Sequence, residues 1–208
     1  METLSLLGVA LGFATLSGIN LYLTTFLAGM AIRFNWLDLA EKYDSLAILA
    51  NPWIIGVAGV LFLLEFFADK IPWLDSSWDA IHTFIRPVGG CLLALAALGE
   101  MDPAVAVIAA LLSGGTTLLT HATKASSRLL INMSPEPVSN VVASLGEDGV
   151  VIAGLGLMVF APVAAFFVFL AVVLIAVWLS RKTFGTIRRG YSALRNKNKA
   201  VPPSVGSP

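Results

Sequence analysis

Apolar residues run in six blocks along the chain, at roughly 4–32, 46–67, 84–99, 103–123, 139–161 and 162–180, and the polar stretches fall between them. No strand pattern appears. Most blocks approach the roughly 20 residues that carry a helix across a hydrocarbon core of about 30 Å. The pattern predicts an all-α, polytopic membrane protein of about six transmembrane helices, with five as the alternative. The first block is too long for one upright helix, and the fourth continues as "TKASSRLLIN", so tilting or breaking is expected. Block 84–99 is short, and Trp78, Ile81 and Phe84 extend it towards the interface. The last two blocks adjoin at Pro162, either as one long helix kinked there or as two helices that meet there.

Composition agrees with this picture. The 208 residues are 57% hydrophobic and 12% charged, against about 25% charged in soluble domains, which leaves too little polar surface to cover a globule in water. A single cysteine, Cys91, rules out an internal disulfide, and no zinc or iron–sulfur spacing is present. The first apolar block has no basic residues ahead of it and runs on to Ile32, so it reads as a membrane segment and not as a leader.

Charge is distributed unevenly. No acid follows Asp148, while the last stretch carries Arg181, Lys182, Arg188, Arg189, Arg195, Lys197 and Lys199. Basic flanks stay in the cytoplasm. Six spans with both termini cytoplasmic place residues 68–86, the region of Lys124 and Arg128, and the basic tail inside. "FNWLDLAEKYD" and "GEMDP" then lie outside. Five spans would put Lys70, Arg86, Lys124 and Arg128 outside instead. The expected organisation is one transmembrane domain over 1–180, a basic juxtamembrane segment over 181–199 and a disordered Pro/Ser/Gly-rich tail over 200–208. A basic segment directly after a span meets anionic lipid rather than nucleic acid.

The chain also matches itself. "ATLSGINLYLTT", from Ala14, aligns without gaps on "ALLSGGTTLLTH", from Ala110, and "IIGVAGVL" (54–61) resembles "VIAGLGLM" (151–158) at nearly the same offset. Repeats over about 4–99 and 103–180 are expected. Three crossings between the two LSG segments make them antiparallel, an inverted-topology repeat with broken Gly/Ser-containing helices. Such matched interruptions mark central sites in secondary transporters. The candidate pathway residues are Ser17, Gly18, Asn20 and Thr24 (with Thr25) in one half. In the other they are Ser113, Gly114, Thr116, Thr117, Thr120 and His121. The competing reading of Gly and Ser here is close helix packing.

A second candidate is the charged stretch "ADKIPWLDSSWDAIHTFIRPVGG", residues 68–90. Pro72 ends the helix before it, Asp75 suits an N-cap, and Asp79 falls in the first turn, where the helix dipole favours an acid. Trp73 and Trp78 fit an interfacial belt. Asp75, Asp79, His82 and Arg86 recur at helical spacing on one face, as a salt-bridged surface or a set of ligands for a cation. Glu65 lies inside an apolar span, where a carboxylate costs a few kcal/mol unless it pairs, protonates or reaches water; Lys70 or Arg86 is its expected partner. Lys124 and Arg128, one turn apart, read either as a site for an anion or lipid phosphate or as side chains that snorkel to the interface, and with Asp69 and Lys70 they join the gating or charge network. No metal site is assigned.

The stretch "FFADKIPWLDSSWDAIHTFIRPVGG", the paired "LSGINLYLTTFLAG" and "LSGGTTLLTHATKASSR", and the late "PEPVSNVVASLGEDG" resemble a bacterial membrane family, domain of unknown function 4126, over roughly residues 8–180. The resemblance implies a small polytopic protein of the bacterial inner membrane. It carries no activity and no catalytic residues. The leading expectation is a small transporter or channel for an ion or small polar solute. The alternative is a non-transporting scaffold or lipid-interacting homo-oligomer. With no nucleophile–base pair, dinucleotide fingerprint or P-loop, neither enzyme activity nor a cofactor is expected.

Overall fold

The computed structural model describes residues 2–36, 44–132 and 138–199, with side chains as far as Lys182. Residues 37–43 of the "FNWLDLAEKYD" connection and the 200–208 tail lie outside the described residues. Among the described residues six α-helices follow in order: α1 (Glu2–Arg33), α2 (Pro52–Ala68), α3 (Pro72–Leu98), α4 (Pro103–Asn132), α5 (Val138–Phe160) and α6 (Pro162–Lys199). A 3-10 turn, Asp44–Ala50, precedes α2. No strand occurs among the described residues, and the chain is a polytopic all-α membrane protein. Among the described residues five helices are long and apolar enough to cross a membrane, or six if the 3-10 turn and α2 form one bent span.

The helix starts are written in the sequence. Asn51 Oδ1 accepts the Trp53 N–H at 2.9 Å, and Asp102 Oδ1 accepts the Ala104 N–H at 2.8 Å, each one residue before a proline. α3 departs from expectation: it opens at Pro72, one turn early, with Ile71 at the cap. Asp75 therefore lies within the helix and bonds Asn132. Pro162 divides two helices. A methyl built on Gly154 would lie 3.3 Å from the Phe169 ring, whereas one straight helix would hold these residues about 22 Å apart. α5 and α6 are a hairpin that turns at Ala161.

α1 is the centre of the bundle and is buried on all sides for most of its length. It is also broken. Asn20 alone leaves helical dihedrals (φ −149°, ψ 97°), and its Oδ1 accepts the Leu23 N–H at 2.9 Å. Asn20 is thus an N-cap set in mid-segment, and it starts a second helix.

That second helix turns back. Gly18, before the break, receives Arg86 from the middle of α3. Gly29, after it, abuts Leu49, where an added methyl would lie 2.5 Å from the carbonyl oxygen. The same 3-10 turn reaches the end of α3, with Ser45 Oγ 3.7 Å from a methyl built on Gly99. A straight α1 antiparallel to α3 would carry Gly29 roughly 35 Å from Gly99. Both ends of α1 therefore lie at the Gly99 end of the bundle, with Asn20 at the tip of a bent hairpin inside it. α2 climbs beside the second half of α1, Ile55 near Gly29 and Gly59 near Phe26.

Direction follows from the remaining contacts. Gly8 meets Pro162, Gly12 meets Met158 and Leu16 meets Gly154, so α5 runs antiparallel to the first half of α1. α6 starts beside Gly8 and climbs past Gly12, which puts Glu2 and Lys182 at opposite ends of the bundle. The LSG segments touch directly and run in the same sense. Thr117 Oγ1 donates to the Ala14 carbonyl at 2.8 Å, and Lys124 Nζ donates to the Ile19 carbonyl at 3.0 Å. The antiparallel relation expected of them assumed that α1 crosses once; the return at Asn20 removes that crossing.

Candidate functional site

A buried charge cluster surrounds the break in α1. A broken helix exposes carbonyl groups at the end of its first half, where the helix dipole is negative. Arg86 Nη1 donates to the Gly18 and Ile19 carbonyls, each at 3.0 Å, and Lys124 Nζ also bonds the Ile19 carbonyl. These two cations are tied to carboxylates from other helices. Arg86 Nη2 makes a short hydrogen bond to Glu65 Oε1 and lies 3.7 Å from Asp79 Oδ1. Lys124 Nζ is 3.3 Å from Glu65 Oε1, 3.3 Å from Glu147 Oε2 and 3.9 Å from Asp69 Oδ2. Arg128 holds Glu147 with two parallel bonds, from Nε at 2.9 Å and Nη2 at 2.7 Å, and reaches Asp69 Oδ2 at 3.2 Å.

Solvent reaches none of Glu65, Asp75 or Arg86, and Glu147 is the most exposed ion-pair member at 18%. Buried pairs rarely stabilise on balance, because desolvating two ions costs several kcal/mol each. A cluster of this size inside an apolar bundle is therefore not explained by stability.

Hydrogen-bond geometry assigns both histidine tautomers. His121 Nδ1 faces Arg86 Nη1 at 3.0 Å, and only a lone pair can meet that donor, so the hydrogen is on Nε2 and bonds the Asp79 carbonyl at 3.0 Å. His82 donates from Nδ1 to the Trp78 carbonyl at 2.7 Å and accepts the Tyr22 hydroxyl on Nε2 at 2.8 Å. Trp78 stacks on the same imidazole, 4.5 Å between centroids, so it serves the cluster rather than an interfacial belt.

Eight of the nine charge-network residues expected from sequence converge here or on its α3 edge: Glu65, Asp69, Asp75, Asp79, His82, Arg86, Lys124 and Arg128. Lys70 does not. Its ammonium bonds the Phe66 carbonyl at 2.7 Å and sits over the Phe66 ring, outside the cluster. Glu65 takes Arg86 as its partner, as expected, and Lys124 in addition.

The pathway candidates divide. Asn20 and His121 belong to the cluster, and Asn20 Nδ2 donates to Asp148 Oδ1 at 3.1 Å. Ser17, Gly18, Thr117 and Thr120 are packed together: a methyl on Gly18 would lie 2.6 Å from the Thr117 carbonyl oxygen, and one on Gly90 would lie 3.0 Å from Ser17 Cβ. Thr24, Ser113 and Thr120 bond back to carbonyls one turn earlier in their own helices. Gly114 has room around it, 3.5 Å to the nearest foreign atom. Ser113 and Thr116, with Glu100 from the turn between α3 and α4, are the polar residues that line a mostly apolar cavity of about 630 Å³ between α1, α3, α4 and α6.

Sequence reasoning missed Tyr22, Asn132, Asn140, Ser144, Glu147 and Asp148. The α5 members were visible: Asn140, Ser144 and Glu147 repeat at four and three, a polar stripe on the first half of a helix that is mostly apolar. Among the described residues several buried polar atoms have no hydrogen-bond partner, including Glu65 Oε2, Asp69 Oδ1, Asp75 Oδ1, Asp79 Oδ2 and both side-chain atoms of Asn140. Among the described residues no group of His, Cys, Asp and Glu side chains is arranged to hold a metal ion.

Comparison with curated proteins and with solved structures finds no match. The family model for domain of unknown function 4126 matches residues 7–182, which include α2 to α5 entire and every residue of the cluster. On that match this helical membrane protein belongs to the DUF4126 family.

Proposed function

We propose that this protein is a small membrane transporter or channel for an ion or small polar solute, and that its central site is the charge cluster at the Asn20 break. One observation carries the reading: six carboxylates (Glu65, Asp69, Asp75, Asp79, Glu147 and Asp148) gather inside an apolar bundle against three basic side chains (Arg86, Lys124 and Arg128), two of which hold the Gly18 and Ile19 carbonyls of a broken helix. Broken helices with polar ends at mid-depth are how transporters bind ions and small solutes. Ionisable residues there are expensive enough to mark a pathway. The orphaned oxygens and the Asn140 amide are polar groups left for water or a solute to meet.

The same reading orients the chain. Arg181 and Lys182 flank the bundle at its Asp69 end, with Lys70. Glu2, Asp44, Glu100 and Asp102 flank the Gly99 end, against Arg33. Basic flanks place the Asp69 end and the C-terminal segment in the cytoplasm. α1 then enters and leaves from the outer side, α2 to α6 make five crossings, and the N-terminus is external. This topology keeps the cytoplasmic basic tail and replaces the cytoplasmic N-terminus of the six-span expectation. The bacterial inner membrane remains the proposed location, with anionic lipid at the basic segment, and no catalytic role is assigned.

Thiol accessibility in intact membranes tests the pathway. In a Cys91→Ser background, single cysteines at Asp79 and Asn140 react with a small impermeant reagent, while Ser17→Cys, in the packed contact, does not. Failure of both Asp79 and Asn140 to react, with loop controls labelled, overturns the reading. A second reading has its own observation: the cavity of about 630 Å³ suits an acyl chain, which favours a lipid-interacting protein, whether or not it self-associates. Retained labelled lipid, with no ion or solute movement, would favour it.

A further inference from the structure

Lys124 is surrounded as a bound ion would be. Its Nζ bonds the Ile19 carbonyl at 3.0 Å and lies 3.3 Å from Glu65 Oε1, 3.3 Å from Glu147 Oε2 and 3.9 Å from Asp69 Oδ2. These four oxygens come from α1, α2, α5 and the turn after α2, and none from α4, which carries the lysine. The side chain is 3% exposed. A carbonyl at the C-terminal end of a half-helix, completed by carboxylates from neighbouring helices, is the donor set that holds a coupling cation in broken-helix transporters. Carboxylates outnumber cations around the amine. Glu65, Asp69, Asp79, Glu147 and Asp148 face Arg86, Lys124 and Arg128, with the His121 ring beside them. Removing the lysine's charge leaves one more carboxylate uncompensated, and Glu65 Oε2 and Asp69 Oδ1 are already buried without a hydrogen-bond partner among the described residues.

We propose that Lys124 Nζ is a tethered monovalent cation: it fills a four-oxygen site in the break of α1 that takes an alkali-metal ion when the amine is absent. The inference rests on the transport reading and takes sodium and potassium out of it as coupling ions at this site. The natural protein needs neither sodium nor potassium at this site, because the cation is part of the chain. A substrate-coupling step at the cluster is accordingly independent of a sodium gradient.

Removal of the amine exposes the site. Lys124→Ala and the natural protein are purified in detergent, and melting temperatures are compared in sodium, potassium and choline chloride at equal ionic strength. Choline is a monovalent cation too large for the space an ammonium group leaves. The natural protein melts at one temperature in all three salts. Lys124→Ala melts lower in choline and recovers by about 3 to 6 °C in sodium or potassium, for a site about nine-tenths filled. Identical melting of Lys124→Ala in all three salts overturns the proposal. Should that variant fail to fold, Lys124→Ala combined with Glu147→Gln restores the natural net charge of the cluster, in which carboxylates outnumber cations, and keeps three of the four oxygens. A smaller alkali-selective rise is expected from it, and no rise overturns the proposal.

Transport is read separately in liposomes made from the same preparations. An alkali-selective shift without movement of any ion or solute upholds the site and refutes the transport reading. Movement by the natural protein, with no shift in either variant, refutes the site and leaves transport standing.

Discussion

Arg86 and Glu65 pair between α3 and α2 at a point that solvent does not reach on either side chain. The same guanidinium covers the Gly18 and Ile19 carbonyls, so one residue joins the break in α1 to the carboxylate that apolar α2 could not otherwise carry. Removing Arg86 leaves Glu65 buried with Lys124, at 3.3 Å, as its remaining cation, and removing Glu65 leaves Arg86 buried with Asp79 Oδ1, at 3.7 Å, as its remaining carboxylate. Arg86→Met and Glu65→Leu should each cost about 3–5 kcal/mol. The double variant should cost clearly less than the sum, which a cycle of unfolding measurements in detergent reads directly. Additive losses would mean that the two side chains do not act as a pair.

The two LSG glycines should behave differently despite their matched sequence. A Gly18 methyl has no space between α1 and α4, with the Thr117 carbonyl oxygen at 2.6 Å, whereas at Gly114 the nearest foreign atom is 3.5 Å away. Gly18→Ala should lower the melting temperature by several degrees. Gly114→Ala should leave it unchanged or raise it, since alanine is the better helix former by about 1 kcal/mol. Equal effects would contradict the packing described for these segments.

Asn20 does two things with one amide: Oδ1 caps the second half of α1, and Nδ2 bonds Asp148. Asn20→Ala should cost about 1–2 kcal/mol through the lost cap, and more through the unpaired carboxylate. Asn20→Asp retains a cap but sets a carboxylate against Asp148, so it should be no better than alanine at neutral pH. Recovery of Asn20→Asp to natural stability would show that the Asp148 contact carries no weight.

How much of this was legible follows from what hydropathy records. The six apolar blocks map onto the helices because burial in lipid selects composition, and Pro162 divides α5 from α6 because proline cannot continue the helix before it. The charged face Asp75–Asp79–His82–Arg86 was legible from spacing alone and is buried as one stripe. Direction was not. Whether α1 crosses or returns depends on the dihedrals of Asn20, one residue in a run whose average hydropathy does not change. Every later inference about sidedness, including the relation between the LSG segments, inherited that parity. Glu147 and Asp148 were passed over as the last acids before a basic tail, although their phase with Asn140 and Ser144 places Glu147 on the inner face.

The return of α1 makes the topology testable by itself. Tags at the two termini of the full chain, probed with impermeant reagents in right-side-out and inverted vesicles, should report the N-terminus outside and the basic C-terminal segment inside. Two termini on the same side would contradict five crossings.

Transport itself is tested most directly in liposomes that contain the purified protein and are given, in turn, a proton gradient and gradients of monovalent ions and small polar solutes. The natural protein should dissipate at least one of these faster than protein-free liposomes, and Glu65→Gln, which keeps the shape but removes the charge at the centre of the cluster, should abolish that movement. Leak equal to that of empty liposomes for every gradient, from protein shown to be folded and inserted, would contradict a transport role for the cluster.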